Sequence, residues 1–380
     1  MSKVIVINPR GIKGDEEYTN GVCSALKKFG VDLVLISNYY YPYKGNKKYI
    51  AKPIFFKLSE QMADSIIRKT IRLIEYFVDW IRTLIIIRQQ SPNVIHVMWP
   101  VVYKIDLFFY KWIKRKGYKL LYTAHNVLPH SSYNRYTNMF RRIYEVPDKI
   151  ILNGNNIFKE FIQLFPEYSQ KVIVSKHGCK TTPANIIETN SLYDNIFLEY
   201  NKVFIVFGML YYEKGIDRLV DVWLRIKNKE KCLLVIAGKK RGNYKELEKL
   251  QEKLNLQEQI LYIDGYIEDD LLNYLINKSN VVTIPYRHAS MSGVLFSAAS
   301  FKRTVMATDT GALSEYIIPN QDGFLVNNSD ESIKKCIEII IQDYTTDDLV
   351  EMGQKLHENI STNYSWEKIV GGYLNEYCNS

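Results

Sequence analysis

The sequence predicts an α/β protein built from two doubly wound, Rossmann-like domains. Length is the first reason: 380 residues make about two domains at ~150 residues each. Second, short apolar runs rich in Val and Ile recur along the chain. They read as almost continuous, as parallel strands buried on both faces do. Third, helix-like stretches fall between many of them, and strands alternating with helices build a sheet covered on both sides.

In the first half the runs lie at residues 4–7, 31–36, 94–98, 119–124, 149–152 and 171–175, with helical patterns at 18–29 and 107–115. The second half repeats the design. Its strands are expected at 203–207, 233–237, 260–263, 281–285, 305–308 and 323–326, and its helices at 216–227, 244–254, 269–278 and 292–300. Residues 181–201 are polar and without clear period, which reads as a linker. The expected domains are 1–180 and 181–363, with a last helix over 366–377 in a segment, 364–380, that packs back on the first domain. Two such sheets imply a cleft bordered by the carboxyl ends of their strands, where α/β folds bind ligands.

Composition removes other classes. At 47% hydrophobic and 24% charged residues, collagen, coiled coil and low-complexity disorder are excluded. A chain this long buries roughly 70–75% of its unfolded surface and needs neither disulfide nor metal to fold. Five scattered cysteines without a CxxC fit a reducing compartment. The chain enters strand-like sequence at Val4, so no signal peptide is expected. The most apolar long stretch, 66–87, is cut by Arg68, Arg72, Glu75, Asp79 and Arg82, which disfavours a membrane span. These features together predict a cytoplasmic protein. Charge is uneven: the first 180 residues carry 29 Lys and Arg against 13 Asp and Glu, although the whole chain is only +9. A basic half suggests an anionic partner such as nucleic acid, a membrane surface or a pyrophosphate-bearing substrate.

Three loops carry candidate chemistry. In Phe207-Gly208-Met209 through Lys214-Gly215-Ile216, glycines let a ligand approach the backbone. Lys214 there sets a cation beside a helix N-terminus, a natural phosphate position. A plain strand-to-helix loop is the alternative. In Tyr286-Arg287-His288 through Ser292-Gly293-Val294, backbone N–H groups at a helix start would cradle a diphosphate, and a simple Ser N-cap is the alternative. In Thr123-Ala124-His125-Asn126-Val127-Leu128-Pro129-His130, two histidines at a strand end suit sugar contact or proton transfer. His177-Gly178 ends another strand at the same edge. Basic and aromatic residues interleave over 108–118, including Phe108, Lys111, Trp112, Lys114, Arg115 and Lys116. With Arg68, Lys69, Arg72, Arg82 and Arg88 they suit an anionic membrane face or, more plainly, a solvated helix face. No GxGxxG, P-loop, HExxH or paired CxxC occurs, so dinucleotide redox chemistry and a metal centre are disfavoured. No recognition motif accompanies the basic half, so nucleic acid is not an expected partner.

Taken in order, these segments resemble the group 1 glycosyltransferases, a large GT-B-fold family with retaining members. His125-Asn126 with Pro129-His130 is similar to a branch carrying HNxxPH. His177-Gly178 resembles the family's HG, and Gly208 with Lys214-Gly215 its donor-phosphate loop. Tyr286-Arg287 and Ser292-Gly293-Val294-Leu295 resemble its PYR…SGVL form. Residues 309–315 and 323–326 resemble its closing TDxGGxxE…GxLV signature.

The resemblance implies a nucleotide-sugar donor, UDP-sugar before GDP-sugar, used as substrate with no cofactor and no obligatory metal. It implies donor contacts from Gly208, Met209, Lys214, Gly238, Lys239, Gly265, Tyr266, Ile267, Arg287, Ser292, Gly293, Val294 and Ser297. It implies acceptor or sugar contacts from Asn126, Pro129, His130 and His177, with His125 and Lys214 as the catalytic pair. The expected activity is transfer of a hexose to a saccharide acceptor, lipid-linked at an anionic membrane surface, in surface polysaccharide synthesis. The protein departs from the family at Met209, where an arginine is usual, and at Ala289 and Ser297, where paired glutamates stand. Lys302 and Thr304 replace a glycine and a proline. Arg287 or Lys239 is the expected substitute for the arginine. These departures leave two alternatives open, a degenerate nucleotide- or partner-binding subunit and a nucleotide-sugar epimerase on the same fold.

Overall fold

The computed structural model describes residues 2–12, 15–45, 48–129, 133–179, 186–242, 244–288 and 292–378. The chain divides into two compact units, Met1–Cys179 with Tyr364–Ser380, and Lys180–Asn363.

Among its described residues the first unit holds seven strands: β1 (Lys3–Asn8), β2 (Asp32–Asn38), β3 (Ile50–Phe55), β4 (Val94–Val97), β5 (Lys119–Ala124), β6 (Lys149–Asn153) and β7 (Val172–Ser175). All pair in parallel, in the order β3-β2-β1-β4-β5-β6-β7. Helices α1 (Asp15–Lys28), α2 (Ile66–Gln90), α3 (Tyr103–Arg115), α4 (Tyr133–Glu145) and α5 (Asn155–Leu164) connect them. Strand alternation sends one set of side chains to each face. Ile5, Ile7, Ile95 and Val97 join a core with Tyr76, Trp80 and Tyr110. Val4, Val6 and Val94 join another with Tyr18, Val22 and Leu26.

The second unit holds β8 (Lys202–Phe207), β9 (Cys232–Gly238), β10 (Ile260–Asp264), β11 (Val281–Ile284), β12 (Thr304–Thr308) and β13 (Gly323–Val326). They are parallel in the order β10-β9-β8-β11-β12-β13. Its helices are α6 (Asp194–Phe197), α7 (Ile216–Leu224), α8 (Lys245–Glu248), α9 (Asp269–Lys278), α10 (Gly293–Ser300), α11 (Asp330–Asp343) and α12 (Thr346–Asn363). Every residue of β9 is buried, as a strand covered on both faces requires. Each sheet reverses its order beside its first strand, between β1 and β4 and between β8 and β11. Ligands of such sheets bind outside the carboxyl ends at that reversal.

The chain then returns to the first unit as α13 (Trp366–Gly371) and α14 (Asn375–Cys378). Cys179 N–H donates to the Tyr364 carbonyl at 2.9 Å. Trp366 slots against Gly21 and Gly178, where a Cβ would stand only 2.0 and 2.5 Å from the indole. Tyr377 is fully buried, and its hydroxyl meets His96 Nδ1 at 2.8 Å. His96 Nε2 meets Thr123 Oγ1 at 2.7 Å.

Four local expectations change. β3 escapes the hydrophobic pattern because Lys52 and Pro53 interrupt it, which an edge strand tolerates. The helix expected at 244–254 breaks into α8 and a 3-10 turn, Gln251–Lys253. The last helix divides at Gly371-Gly372, where two glycines weaken helical continuity. The linker contains α6, whose Asp194 accepts from the Asn190 N–H at 2.9 Å. Among the described residues no helix is long and apolar enough to cross a membrane.

Candidate active site

In the first unit, chemistry collects past the carboxyl ends of β1, β4, β5 and β6. His125 follows β5. Its ring stacks on Trp99, two residues past β4, with centroids 3.9 Å apart and planes 6° from parallel. The Arg10 guanidinium, two residues past β1, lies 4.6 Å from the Trp99 centroid. Tyr18 sets its edge against His125 at 4.4 Å.

Asn153, the last residue of β6, fixes the imidazole. Its Oδ1 accepts the Tyr18 hydroxyl at 3.1 Å, and its Nδ2 meets His125 Nδ1 at 3.2 Å. An amide nitrogen only donates, so Nδ1 accepts and the neutral ring carries its proton on Nε2. That atom is buried and has no partner among the described residues. Burial first, then His177, Arg10 and His96, holds the His125 pKa well below the usual imidazole range. The ring is therefore an uncharged hydrogen-bond donor awaiting an acceptor. Beside it opens a cavity of about 210 Å³ lined by Arg10, Trp99, Thr123, His125, Asn126 and Pro129, among others.

Of the residues expected here, His125, Asn126 and Pro129 share the cavity. His177 instead packs on Tyr18 and Trp366, at 5.1 and 5.4 Å, and burial lowers its pKa to about 4. The expectation for His130 lies outside the described residues. Its glycine neighbour explains His177-Gly178 in part: Gly178 makes room for Trp366.

In the second unit, Lys214 joins the loops after β8 and β11. Lys214 Nζ donates to the Tyr286 hydroxyl at 2.5 Å. It also sits 3.8 Å from that ring's centroid, a cation–π contact. The Tyr286 hydroxyl meets Ser292 Oγ at 3.0 Å. Ser292 caps α10, accepting from the Val294 N–H at 3.3 Å. Burial lowers the Lys214 pKa to about 8. Gly215, at φ +67°, lets the loop pass the Pro285 carbonyl, which a Cβ would approach to 2.1 Å. A Cβ at Gly208 or Gly293 would instead meet nothing within 4 Å, so both backbones border open space.

Arg287 is already engaged. It grips Asp217 with Nη1 and Nη2 at 2.6 and 2.8 Å and donates to the Tyr212 carbonyl at 2.8 Å. Tyr244 also donates to Asp217, at 2.6 Å. Burial opposes ionisation of Asp217, but the Arg287 and Tyr244 bonds prevail and hold its pKa below the usual carboxylate value. This clamp ties the loop after β11 to the first turn of α7.

Gly238 approaches Gly208 so closely that a Cβ would stand 1.8 Å from its carbonyl oxygen. Met209, Lys239 and Tyr266 are exposed, Ile267 is half-buried, and Gly265 adopts φ +114° with open space beside it. Ser297 Oγ donates to the Gly293 carbonyl at 3.2 Å. Ala289 lies outside the described residues. Among the described residues no three His, Cys, Asp or Glu side chains gather to hold a metal ion.

Trp99, Arg10, Tyr18 and Asn153 are absent from the sequence expectations. Arg10 and Trp99 each follow a strand by two residues. Knowing that β1 and β4 are neighbours at the order reversal would have singled them out.

Residues 194–362 match the family described as glycosyl transferases group 1. An uncharacterized glycosyltransferase of Methanocaldococcus jannaschii is 26% identical over 178 residues, 46% of this chain and 44% of the relative. The gpi3 subunit of phosphatidylinositol N-acetylglucosaminyltransferase from Schizosaccharomyces pombe is 27% identical over 163 residues, 43% of this chain and 35% of the relative. The chain thus spans less than half the length of these two curated relatives. Among solved structures, HepE of Anabaena in complex with UDP superposes with a TM-score of 0.72 at 14% identity, covering all of both chains. The second unit thus carries the pattern of the group 1 glycosyl transferases over residues 194–362, and the chain has the GT-B fold of HepE.

Proposed function

We propose that the protein transfers a hexose from a nucleotide sugar, UDP-linked before GDP-linked, to a saccharide acceptor. The observation that carries this is the Lys214–Tyr286–Ser292 chain beside the open backbones of Gly208 and Gly293. An ammonium, a helix N-terminus and accessible glycine backbone together suit a diphosphate. HepE, of the same fold, is seen with UDP and with UDP-glucose.

When the glycosyl bond breaks, negative charge gathers on the departing diphosphate. Lys214 and the N–H groups opening α10 stabilise it there. The acceptor hydroxyl forms the new bond and its proton passes to the leaving phosphate, so no protein base is required. This matches the retaining mode that the family resemblance implies, and it asks for no metal. His125 acts as a donor through Nε2–H, holding a sugar hydroxyl in the first unit's cavity. Arg287 supports the loop through Asp217 rather than reaching the phosphate itself. The basic first half favours a lipid-linked acceptor, in surface polysaccharide synthesis at the cytoplasmic face of a membrane.

A thermal-shift screen against UDP, GDP, CMP and their sugar conjugates tests the donor site. A ligand at ~100 times its dissociation constant adds ~2.7 kcal/mol of stability. Stabilisation by UDP or a UDP-sugar, at least halved by Lys214→Met, is expected. No shift with any nucleotide would overturn the reading. A degenerate binding subunit is the second reading. It is favoured by Ser297, which stands at a glutamate position and spends its hydroxyl on Gly293. It predicts the shift without turnover.

A further inference from the structure

Helix α2 is apolar on the side it turns to solvent. Ile67, Ile74, Phe77, Val78, Ile81 and Ile85 are 38 to 68% exposed. At these spacings they share one face of the helix, away from the buried Tyr76, Asp79, Trp80, Thr83 and Ile87. The apolar surface continues onto α3. Phe77 packs on Phe109 at 5.5 Å, and its neighbour Phe108 is 58% exposed.

Cations flank this surface. Lys104, Phe108, Lys111 and Arg115 recur at helical spacing along α3. Arg88 of α2 and Lys116, just past α3, both approach the Trp112 ring, at 5.2 and 5.9 Å. Between residues 66 and 116 the chain carries ten Lys and Arg and only three acids. All three acids are bonded toward the protein. Glu75 accepts from the N–H groups of Leu58 and Ser59. Asp79 accepts from Phe56 N–H, and Asp106 from Val101 N–H and the Tyr76 hydroxyl. The outer surface therefore combines large apolar groups with positive charge.

We propose that this surface docks the first unit on an anionic lipid bilayer, with α2 lying in the plane of the interface. Its 25 residues extend about 37 Å. Basic residues interrupt it too often for a span, but an in-plane helix can sink its apolar face below the headgroups while cations meet lipid phosphates. Pairing with a second copy would set one cationic rim against another, which like-charge repulsion opposes. The docking surface stands on its own observations and does not require the donor site to be occupied.

Flotation of the full chain with vesicles tests it, without nucleotide. Binding is expected to vesicles containing phosphatidylglycerol, weaker with phosphatidylcholine alone, and reduced by salt. The exposed pair Ile74→Gln/Ile81→Gln is expected to lower binding at least about tenfold. Lys111→Gln/Arg115→Gln is expected to lower it about tenfold and flatten the salt dependence. Circular dichroism of both variants should match the parent. No flotation of the folded parent with anionic vesicles would overturn the proposal. So would unchanged binding by folded Ile74→Gln/Ile81→Gln. A concentration-dependent dimer dissolved by that variant, without vesicle binding, would overturn it in favour of self-association.

Discussion

Lys214 donates to the hydroxyl of Tyr286 and also lies over the face of the same ring, 3.8 Å from its centroid. The aromatic shelters the ammonium from water, and burial brings its pKa from 10.5 down to about 8. A diphosphate favours the charged form. Affinity for UDP should therefore be level below pH 8 and fall as pH rises above it, up to tenfold per unit. Isothermal titration across pH 7 to about 10 checks this. Lys214→Met should weaken binding by about 1.5–3 kcal/mol and remove the slope.

Asp217→Asn should destabilise the second unit by about 2–4 kcal/mol. It removes the carboxylate that pairs with Arg287 and accepts from Tyr244, leaving a half-buried guanidinium uncompensated. Urea unfolding of the full chain is the measurement. A loss comparable with an exposed ion pair, below about 1 kcal/mol, would mean that solvent already screens the clamp.

His125→Phe tests the imidazole's part in transfer, measured on the folded variant. The phenyl ring keeps the stack on Trp99 and removes an Nε2–H that has no partner among the described residues. It also leaves the buried Asn153 amide without its acceptor, so folding stability should fall by about 1–3 kcal/mol. Transfer should fall by about a hundredfold if that proton holds a reacting sugar. Turnover equal to the parent's would take His125 out of the site.

Gly178→Ala should lower stability by about 1–3 kcal/mol, because its methyl would stand inside the Trp366 ring. Trp366 fluorescence should shift with it. Gly208→Ala is the contrast. It meets no neighbour but stands at φ +104°, so it acts through backbone strain rather than overlap.

His96 predicts acid sensitivity. It is wholly buried between Thr123 and Tyr377, and burial lowers its pKa from 6.5 to about 3. A group whose folded pKa is depressed supports the fold fully above its unfolded pKa. The support is lost as pH falls from 6.5 toward 3, at up to about 1.4 kcal/mol per pH unit. Urea unfolding from pH 7 down to about 4 should show it as the part of the slope that His96→Phe removes, the rest coming from His125 and His177. A flat profile would mean that water reaches the ring.

The strands were legible because parallel strands buried on both faces leave nearly unbroken Val and Ile runs. β3 was not, since an edge strand with Lys52 and Pro53 carries no such run. Lys214, Ser292 and Gly293 could be picked out by sequence because their loops are local units, a strand end followed by a helix start. The clamp of Arg287 on Asp217 was hidden: seventy positions separate the partners, and only the packing of two adjacent loops unites them. Trp99 and Arg10 were hidden for a similar reason, since each is ordinary alone and becomes notable when β1 and β4 prove to be neighbours. The tautomer of His125 is set by Asn153, 28 residues away, and no local pattern encodes it.

The return of α13 and α14 to the first sheet bears on synthesis. Ribosomes deliver a chain from its N-terminus, and domains ordinarily fold as they emerge. Here the earliest-made sheet waits for Trp366 and Tyr377, while the 180–363 unit is translated in between. Until then Gly21 and Gly178 flank an unfilled slot, and His96 lacks its phenol partner. The unit that begins folding first is the last to be completed, and it is the nascent half that a chaperone would be needed to shield.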